Sequence, residues 1–139
     1  LRERIIDIFS SSDRGDLFEV TVESFGFKYG IPPESDLVFD VRFLPNPYYE
    51  ISLREHNGTE KPVRDYVFQN GTADELMQRL NALVDFLLPR YVSEGKTSVN
   101  ICVGCTGGRH RSVAIAEALG GHVRDTGYHV SMLHRDYHR

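Results

Sequence analysis

The sequence predicts a single α/β domain with a mostly parallel sheet flanked by helices, and three observations carry that expectation. Apolar runs of strand character alternate with stretches of helical periodicity. The segment from Ser98 to Val123 reads as strand, glycine-containing loop and helix, and Tyr128 to His134 adds a strand after it, the order of a right-handed crossover between parallel strands. The chain has 139 residues, 40% hydrophobic and 26% charged, ordinary globular values that exclude disordered, collagen-like and coiled-coil classes. A chain near this length buries ~68–70% of its unfolded surface, enough for its own core.

Taken in order, Leu1 to Phe9 carries apolar residues at 1, 5, 6 and 9, one helical stripe, and residues 1–15 are expected to be a helical lead-in from a longer N-terminal part. The domain proper is placed at 16–139. After the break at SSSDRGD, LFEVTVESF alternates, with Phe18, Val20 and Val22 inward and Glu19, Thr21 and Glu23 on the other face. LVFDVRF is expected as a second, more deeply buried strand, with Pro32 and Pro33 in the loop before it. From Leu44 to Gly71, LPNP and HNGTEKP are turn chemistry, with a short helix at Pro62 to Phe68. Thr72 and Glu75 have capping-box spacing and open a helix whose apolar face is Leu76, Leu80, Leu83, Val84, Leu87 and Leu88. Pro89 is expected to kink or end it. TSVNICV is the third strand, VAIAEALGGHV the helix after the loop, and YHVSMLH the fourth strand. No repeat, low-complexity segment or dividing linker interrupts this order.

A net charge of −4 argues against unspecific coating of nucleic acid. Arg109 and Arg111 nevertheless share one loop, and five of the six histidines lie between His110 and His138. A local positive field on an acidic body suits a discrete anion. Two cysteines make no disulfide framework and fit a reducing compartment. No apolar run approaches the ~20 residues of a membrane span and no leader pattern is seen, so a cytoplasmic protein without a membrane partner is expected.

The chemistry concentrates in GCTGGRHRS, Gly104 to Ser112. A loop between a strand and a helix presents amide hydrogens that lack helical partners, and Thr106, Gly107 and Gly108 are small enough to let them turn around an oxyanion. Arg111 adds a two-pronged fork, Ser112 a hydroxyl, and Arg109 and His110 further basic groups. Cys105, five residues, Arg111 and Ser112 also match the protein-tyrosine-phosphatase loop, so a cysteine-dependent phosphatase is the alternative reading. That chemistry needs an acid for the leaving oxygen. Asp40 and Asp65 are the candidates, but Asp40 has no aromatic-proline lid before it, and position 104 is glycine where phosphatases usually carry histidine. Cys105 is therefore expected to be a pocket wall, with no catalytic residue in the domain. Cys102 and Cys105 spell C-x-x-C, yet Cys102 should still lie in the strand and face away. Zinc would need further ligands from His110, His134 or Asp136 without the usual paired spacing, so no metal is expected.

FDVRFLPNP places Asp40 and Arg42 on one face near the carboxyl end of a strand, where α/β ligand sites form, with Asn46 between two prolines. Arg42 either faces the anion or pairs with Asp40, and both readings stand. LHRDYHR puts His134, Arg135 and Asp136 after the last strand, beside the Cys105 loop if the strands are parallel neighbours.

FGFKYG, DVRFLPNP, GCTGGRHRS and HRD, in this order from about Ser24 to Asp136, resemble the C-terminal domain of the RapZ/YvcJ family of bacterial RNase adapter and nucleotide-binding proteins. The resemblance implies a cytoplasmic, self-associating regulator. Its ATP or GTP would belong to a separate N-terminal Walker-type domain, with no cofactor here. The C-terminal domain would bind an amino-sugar phosphate or UDP-sugar, of the glucosamine-6-phosphate or UDP-N-acetylglucosamine type, and in some members small RNA. Transferred to this chain, the pocket would use Thr106, Gly107, His110 and Arg111, with Arg42 and Asn46 nearby and Tyr48 where the family often has histidine. Cys105, Gly108, Ser112, His134 and Arg135 complete the candidate ligand-binding set. The basic tail is short, so RNA binding by this chain is expected to be weak.

Overall fold

The computed structural model describes residues 17–139; the expected helical lead-in lies outside them. Phe18, Val20 and Val22 are fully buried, and their strand β1 (Glu19–Gly26) pairs on both sides. It joins β3 (Ser98–Cys105) on one flank and β4 (His129–His134) on the other, while β2 (Leu37–Asp40) adds to the outer side of β3. All pairings are parallel, in the order β2-β3-β1-β4. Parallel register brings the carboxyl ends to one edge: Gly26 lies opposite Cys105, Asp40 opposite Gly104, and Ser24 opposite His134.

Three helices, α1 (Lys61–Val67), α2 (Thr72–Ser93) and α3 (Arg111–Asp125), share one core with this sheet. The α2 stripe is Ala73, Met77, Leu80, Val84 and Leu88. Leu83, expected inside, is 42% exposed. It stands ~100° around the helix from Val84, and the expected arc was too wide for one contact face. Leu76 and Leu87 are half-buried at its margin.

The capping box does not form. Gly71, in left-handed conformation, precedes the helix, Thr72 is already helical and its amide donates to Asn70 Oδ1 at 3.2 Å, while Glu75 pairs with Arg79 at 2.8 Å. Nor does Pro89 stop α2, which continues to Ser93. Proline removes the bond to the carbonyl of Asp85, but both residues are exposed and water can replace it. The second strand is shorter and shallower than expected. It ends at Asp40, leaving Arg42 in a turn, and Val38 is 40% exposed because β2 is an edge. Among the described residues no helix is long and apolar enough to cross a membrane.

Residues 27–36, linking β1 to β2, cross the sheet's other face. Ser35 Oγ donates to Cys102 Sγ at 3.1 Å, the Asn100 amide donates to Asp36 at 2.7 Å, and Arg135 donates to the Gly30 carbonyl at 2.6 Å. Glu23 lies in this region at 2% exposure. Burial, reinforced by the Glu34 carboxyl, pushes it up to about 7. A carboxyl raised above its ordinary 4.5 stabilises the fold fully below that value and loses the contribution as pH rises towards 7. Between about pH 5 and 7.5 the wild-type protein should therefore lose thermal stability relative to Glu23→Gln, which should melt higher than wild type at about pH 8. Parallel melting profiles for the two proteins would remove this assignment.

Candidate functional site

β3 ends at Cys105 and α3 begins at Arg111, so the intervening loop opens at the carboxyl edge. Glycines let other segments close around it. A Cβ on Gly26 would lie 2.5 Å from the Gly107 carbonyl carbon, and Gly108 turns with φ +81° against Gly26. Gly58 fits against the His110 carbonyl, and its amide donates to the Arg109 carbonyl at 2.9 Å. A Cβ on Gly104 would meet the Phe25 ring at 2.5 Å. The histidine that a phosphatase places there is sterically excluded. Asp136, fully buried, braces the loop from behind: its carboxylate accepts from the Gly26 amide at 2.8 Å and from Arg135 and Arg139. Burial alone would raise its pKa, but Arg135, the Gly26 amide and Arg139 outweigh this and hold it below the ordinary carboxylate value.

The loop forms the floor of a cavity of about 570 Å³. Cys105, Thr106, Gly107, His110 and Arg111 line the floor, Asn46, Tyr48, Tyr49, Arg54 and Glu55 lie on one strip of chain, and Lys28, Tyr29, Arg109 and Arg139 complete the lining. Its charge is lopsided. Five lining residues are cationic, and Glu55 is the one carboxylate among the described lining residues. Arg109 is spoken for by Glu55 at 3.4 Å and Arg139 by Asp136 at 2.7 Å.

Arg111 is different. It is 6% exposed, and Nη1 donates to the carbonyls of Arg42 and Leu44 while Nη2 reaches Thr106 Oγ1 at 3.5 Å. Its Nε is buried with no partner, and no carboxylate among the described residues meets it. A buried charge with no carboxylate in direct contact is costly, and an anion in the cavity would offset that cost. Beside it, His110 Nε2 donates to the Arg54 carbonyl at 3.1 Å. Burial, with Arg109 and Arg111 adding to it, lowers the His110 pKa below the free imidazole value despite that carbonyl, so the ring is neutral at pH 7.

Of the expected site residues, Asn46, Tyr48, Cys105, Thr106, Gly107, His110 and Arg111 line the cavity together. Gly108 and Ser112 shape the loop from behind; Cys105 Sγ donates to Ser112 Oγ at 3.1 Å. Arg42 turns away. Its guanidinium pairs with Asp40 at 2.6 Å and stacks on Phe27 at 4.2 Å, so its role at the site is through its carbonyl on Arg111. That pairing is also what holds the Asp40 carboxyl low. His134 and Arg135 reach the same edge but stay outside the cavity. His134 bonds Ser24 Oγ at 2.6 Å and Glu117 at 2.7 Å, and Arg135 joins Asp136 to the Gly30 carbonyl.

Lys28, Tyr29, Tyr49, Arg54, Glu55, Arg109 and Arg139 were not in the expected set. Lys28 and Tyr29 belong to FGFKYG, one of the strings that carry the family resemblance, whereas Arg54 and Glu55 sit in a stretch whose turns carry no periodic signal. Cys102 faces away from Cys105, and burial pushes its thiol up to about 11. Among the described residues no group of three or more His, Cys, Asp or Glu could hold a metal ion.

The RapZ C-terminal domain family model matches residues 18–138. Curated relatives described as nucleotide-binding proteins share 45% identity over 139 residues in Desulforudis audaxviator, 50% over 137 in Clostridium botulinum and 52% over 136 in Acetivibrio thermocellus. These matches cover 98–100% of this chain and 47% of each relative, so the chain spans about half their length. With a family match across nearly all the described residues, the chain belongs to the RapZ C-terminal domain family.

Proposed function

We propose that this domain is a binding and sensing module whose cavity receives the phosphate of a phosphorylated or UDP-linked amino sugar. The buried Arg111 guanidinium, held by carbonyls and meeting no carboxylate among the described residues, carries this reading. A neutral His110, its one N–H held by the Arg54 carbonyl, leaves Nδ1 as an acceptor for a ligand hydroxyl. Asn46 uses its Oδ1 to accept the Tyr48 amide at 3.1 Å, leaving its NH₂ as a donor for a sugar hydroxyl. Glu55, 3.4 Å from Arg109, also lines the cavity and has a second carboxylate oxygen for a sugar ammonium.

The phosphatase alternative has less support. Asp40 is engaged by Arg42 and Asp65 by Lys61 at 2.8 Å, and neither lines the cavity, so neither of the two expected acids faces a leaving group. Titration of the chain with inorganic phosphate, glucosamine 6-phosphate and UDP-N-acetylglucosamine tests the binding reading; failure of all three would end it. Cys105→Ser should retain affinity within roughly tenfold, about 1.4 kcal/mol. Aryl-phosphate turnover that Cys105→Ser abolishes would instead make the loop an active site.

A cytoplasmic location, self-association, weak small-RNA binding and ATP or GTP use by the remainder of a longer protein belong to the same proposal. Any RNA affinity of this chain should fall steeply with salt, because counterion release would carry it.

A further inference from the structure

We propose that residues 27–36 form a proton-operated strap: a proton shared by Glu23 and Glu34 latches this segment to the sheet, and its loss frees Lys28 and Tyr29 from the cavity wall. The consequence for binding rests on the reading that Arg111 anchors an anion. The latch itself does not.

The helices share a core with Val22 and Ile101. Glu23 and Cys102, paired in register, follow them in sequence and so point to the opposite face of the sheet, where both are buried. The strap crosses that face, with Ser35 on the Cys102 thiol at 3.1 Å. From the strap the Glu34 carboxyl hydrogen-bonds to the Glu23 carboxyl, and one of the two must carry the proton for that bond to exist. The other groups facing Glu23 set the balance. Asp136 adds negative charge and Arg135 positive charge, while burial keeps the Cys102 thiol neutral by pushing it up to about 11.

The same strap reaches the cavity. Lys28 and Tyr29 line it, the Lys28 amide donates to the Thr106 carbonyl at 3.2 Å, and the Arg139 guanidinium lies over the Tyr29 ring at 4.5 Å. Arg135 joins the two ends of the device. Its guanidinium holds the Gly30 carbonyl at 2.6 Å while pairing with Asp136, and an ionised Glu23 attracts it. Loss of the proton therefore sets Glu23 against Glu34 and draws Arg135 from Gly30. Gly30, at φ +91° with open space around its Cβ position, gives the near half a hinge. The far half stays tied, because the Asp36 carboxylate accepts from the Asn100 amide at 2.7 Å and the Asn100 side chain donates to the Glu34 carbonyl at 3.0 Å. Burial of Glu23 raises its carboxyl from 4.5 to about 7, so the latch is fully closed below the lower value and opens as pH rises through the upper one.

Amide exchange, read by NMR on the chain without added anion, tests the latch in wild type, Glu23→Gln and Glu34→Ala. Glutamine at 23 keeps a donor for Glu34 but has no proton to lose, and position 34 is exposed, so its truncation spares the core. Protection of the Lys28 and Gly30 amides should match in wild type and Glu23→Gln at about pH 6. At about pH 8.5 it should be roughly tenfold or more lower in wild type, with the Asp36 amide unchanged. Glu34→Ala should show the lowered protection already at about pH 6. Equal protection in wild type and Glu23→Gln at both pH values, or a loss that extends equally to Asp36, overturns the latch. Sulfate, whose charge is constant over this range, then tests the link to the cavity. Between about pH 6.5 and 8.5 its affinity for wild type should fall roughly threefold or more beyond any fall in Glu23→Gln. Identical sulfate profiles overturn control of the cavity by the strap. If sulfate binds at no pH, the Arg111 anchor fails, and amide exchange alone decides the latch.

Discussion

Arg111→Met will lower affinity for inorganic phosphate and for sugar phosphates by roughly ten- to a hundredfold, as expected for losing a charge-assisted contact of about 1.5–3 kcal/mol. Methionine is the informative replacement because it keeps most of the buried stem. The fold should survive: the change leaves the Arg42 and Leu44 carbonyls without a donor, but it also removes a buried charge that no carboxylate meets among the described residues. The two effects oppose each other, and the melting temperature should stay within about 5 °C of wild type. Arg124→Ala is the control, because that side chain is exposed near the far end of α3. It should change phosphate affinity less than twofold. Equal losses in the two variants, read by calorimetric titration at one ionic strength, would mean that overall charge rather than a formed pocket holds the anion.

Gly26→Ala will be among the most damaging single-methyl changes in the domain. The added carbon would lie 2.5 Å from the Gly107 carbonyl carbon, 2.6 Å from its oxygen and 2.9 Å from the Gly108 nitrogen. All three are backbone atoms, so no side chain can rotate to make room. Either the end of β1 or the loop must move, at a cost of about 3 kcal/mol or more and a fall in melting temperature on the order of 10 °C. Gly107→Ala separates stability from binding. A Cβ there meets nothing within 4 Å, so the melting temperature should hold while phosphate affinity falls as a methyl group enters the cavity. Thermal unfolding and titration of both variants check this pair. Wild-type stability in Gly26→Ala would show that the loop does not pack against β1 in this way.

Much of the architecture was legible because it depends on local periodicity. Alternation at Phe18, Val20 and Val22 marked β1, and the apolar run before GCTGGRHRS marked β3. Strand, loop and helix in succession then implied a parallel sheet whose loop opens at its carboxyl edge. The errors lie where a competing interaction outweighed the expected signal. Thr72 has capping spacing, but the left-handed turn through Asn70 and Gly71 starts the helix and leaves Thr72 inside it. Pro89 reads as a kink or a stop, and the stop does not occur because its missing bond faces solvent and the buried Leu88 holds the turn to the core.

The sequence by itself determined that a small-residue loop with Arg111 follows a buried strand and opens at the carboxyl edge of a parallel sheet. Only the tertiary structure decided which neighbours share the site. Arg42 and Arg111 lie 69 positions apart, and the fold turns one guanidinium to Asp40 and buries the other in the cavity. His134 and Arg135 end on the right edge but are taken by Glu117 and Asp136, while Lys28, Tyr29, Arg54 and Arg139 enter the lining. The reason is physical: residue type and spacing set the chemistry a side chain carries, but its partner depends on which carbonyls and carboxylates packing brings within reach.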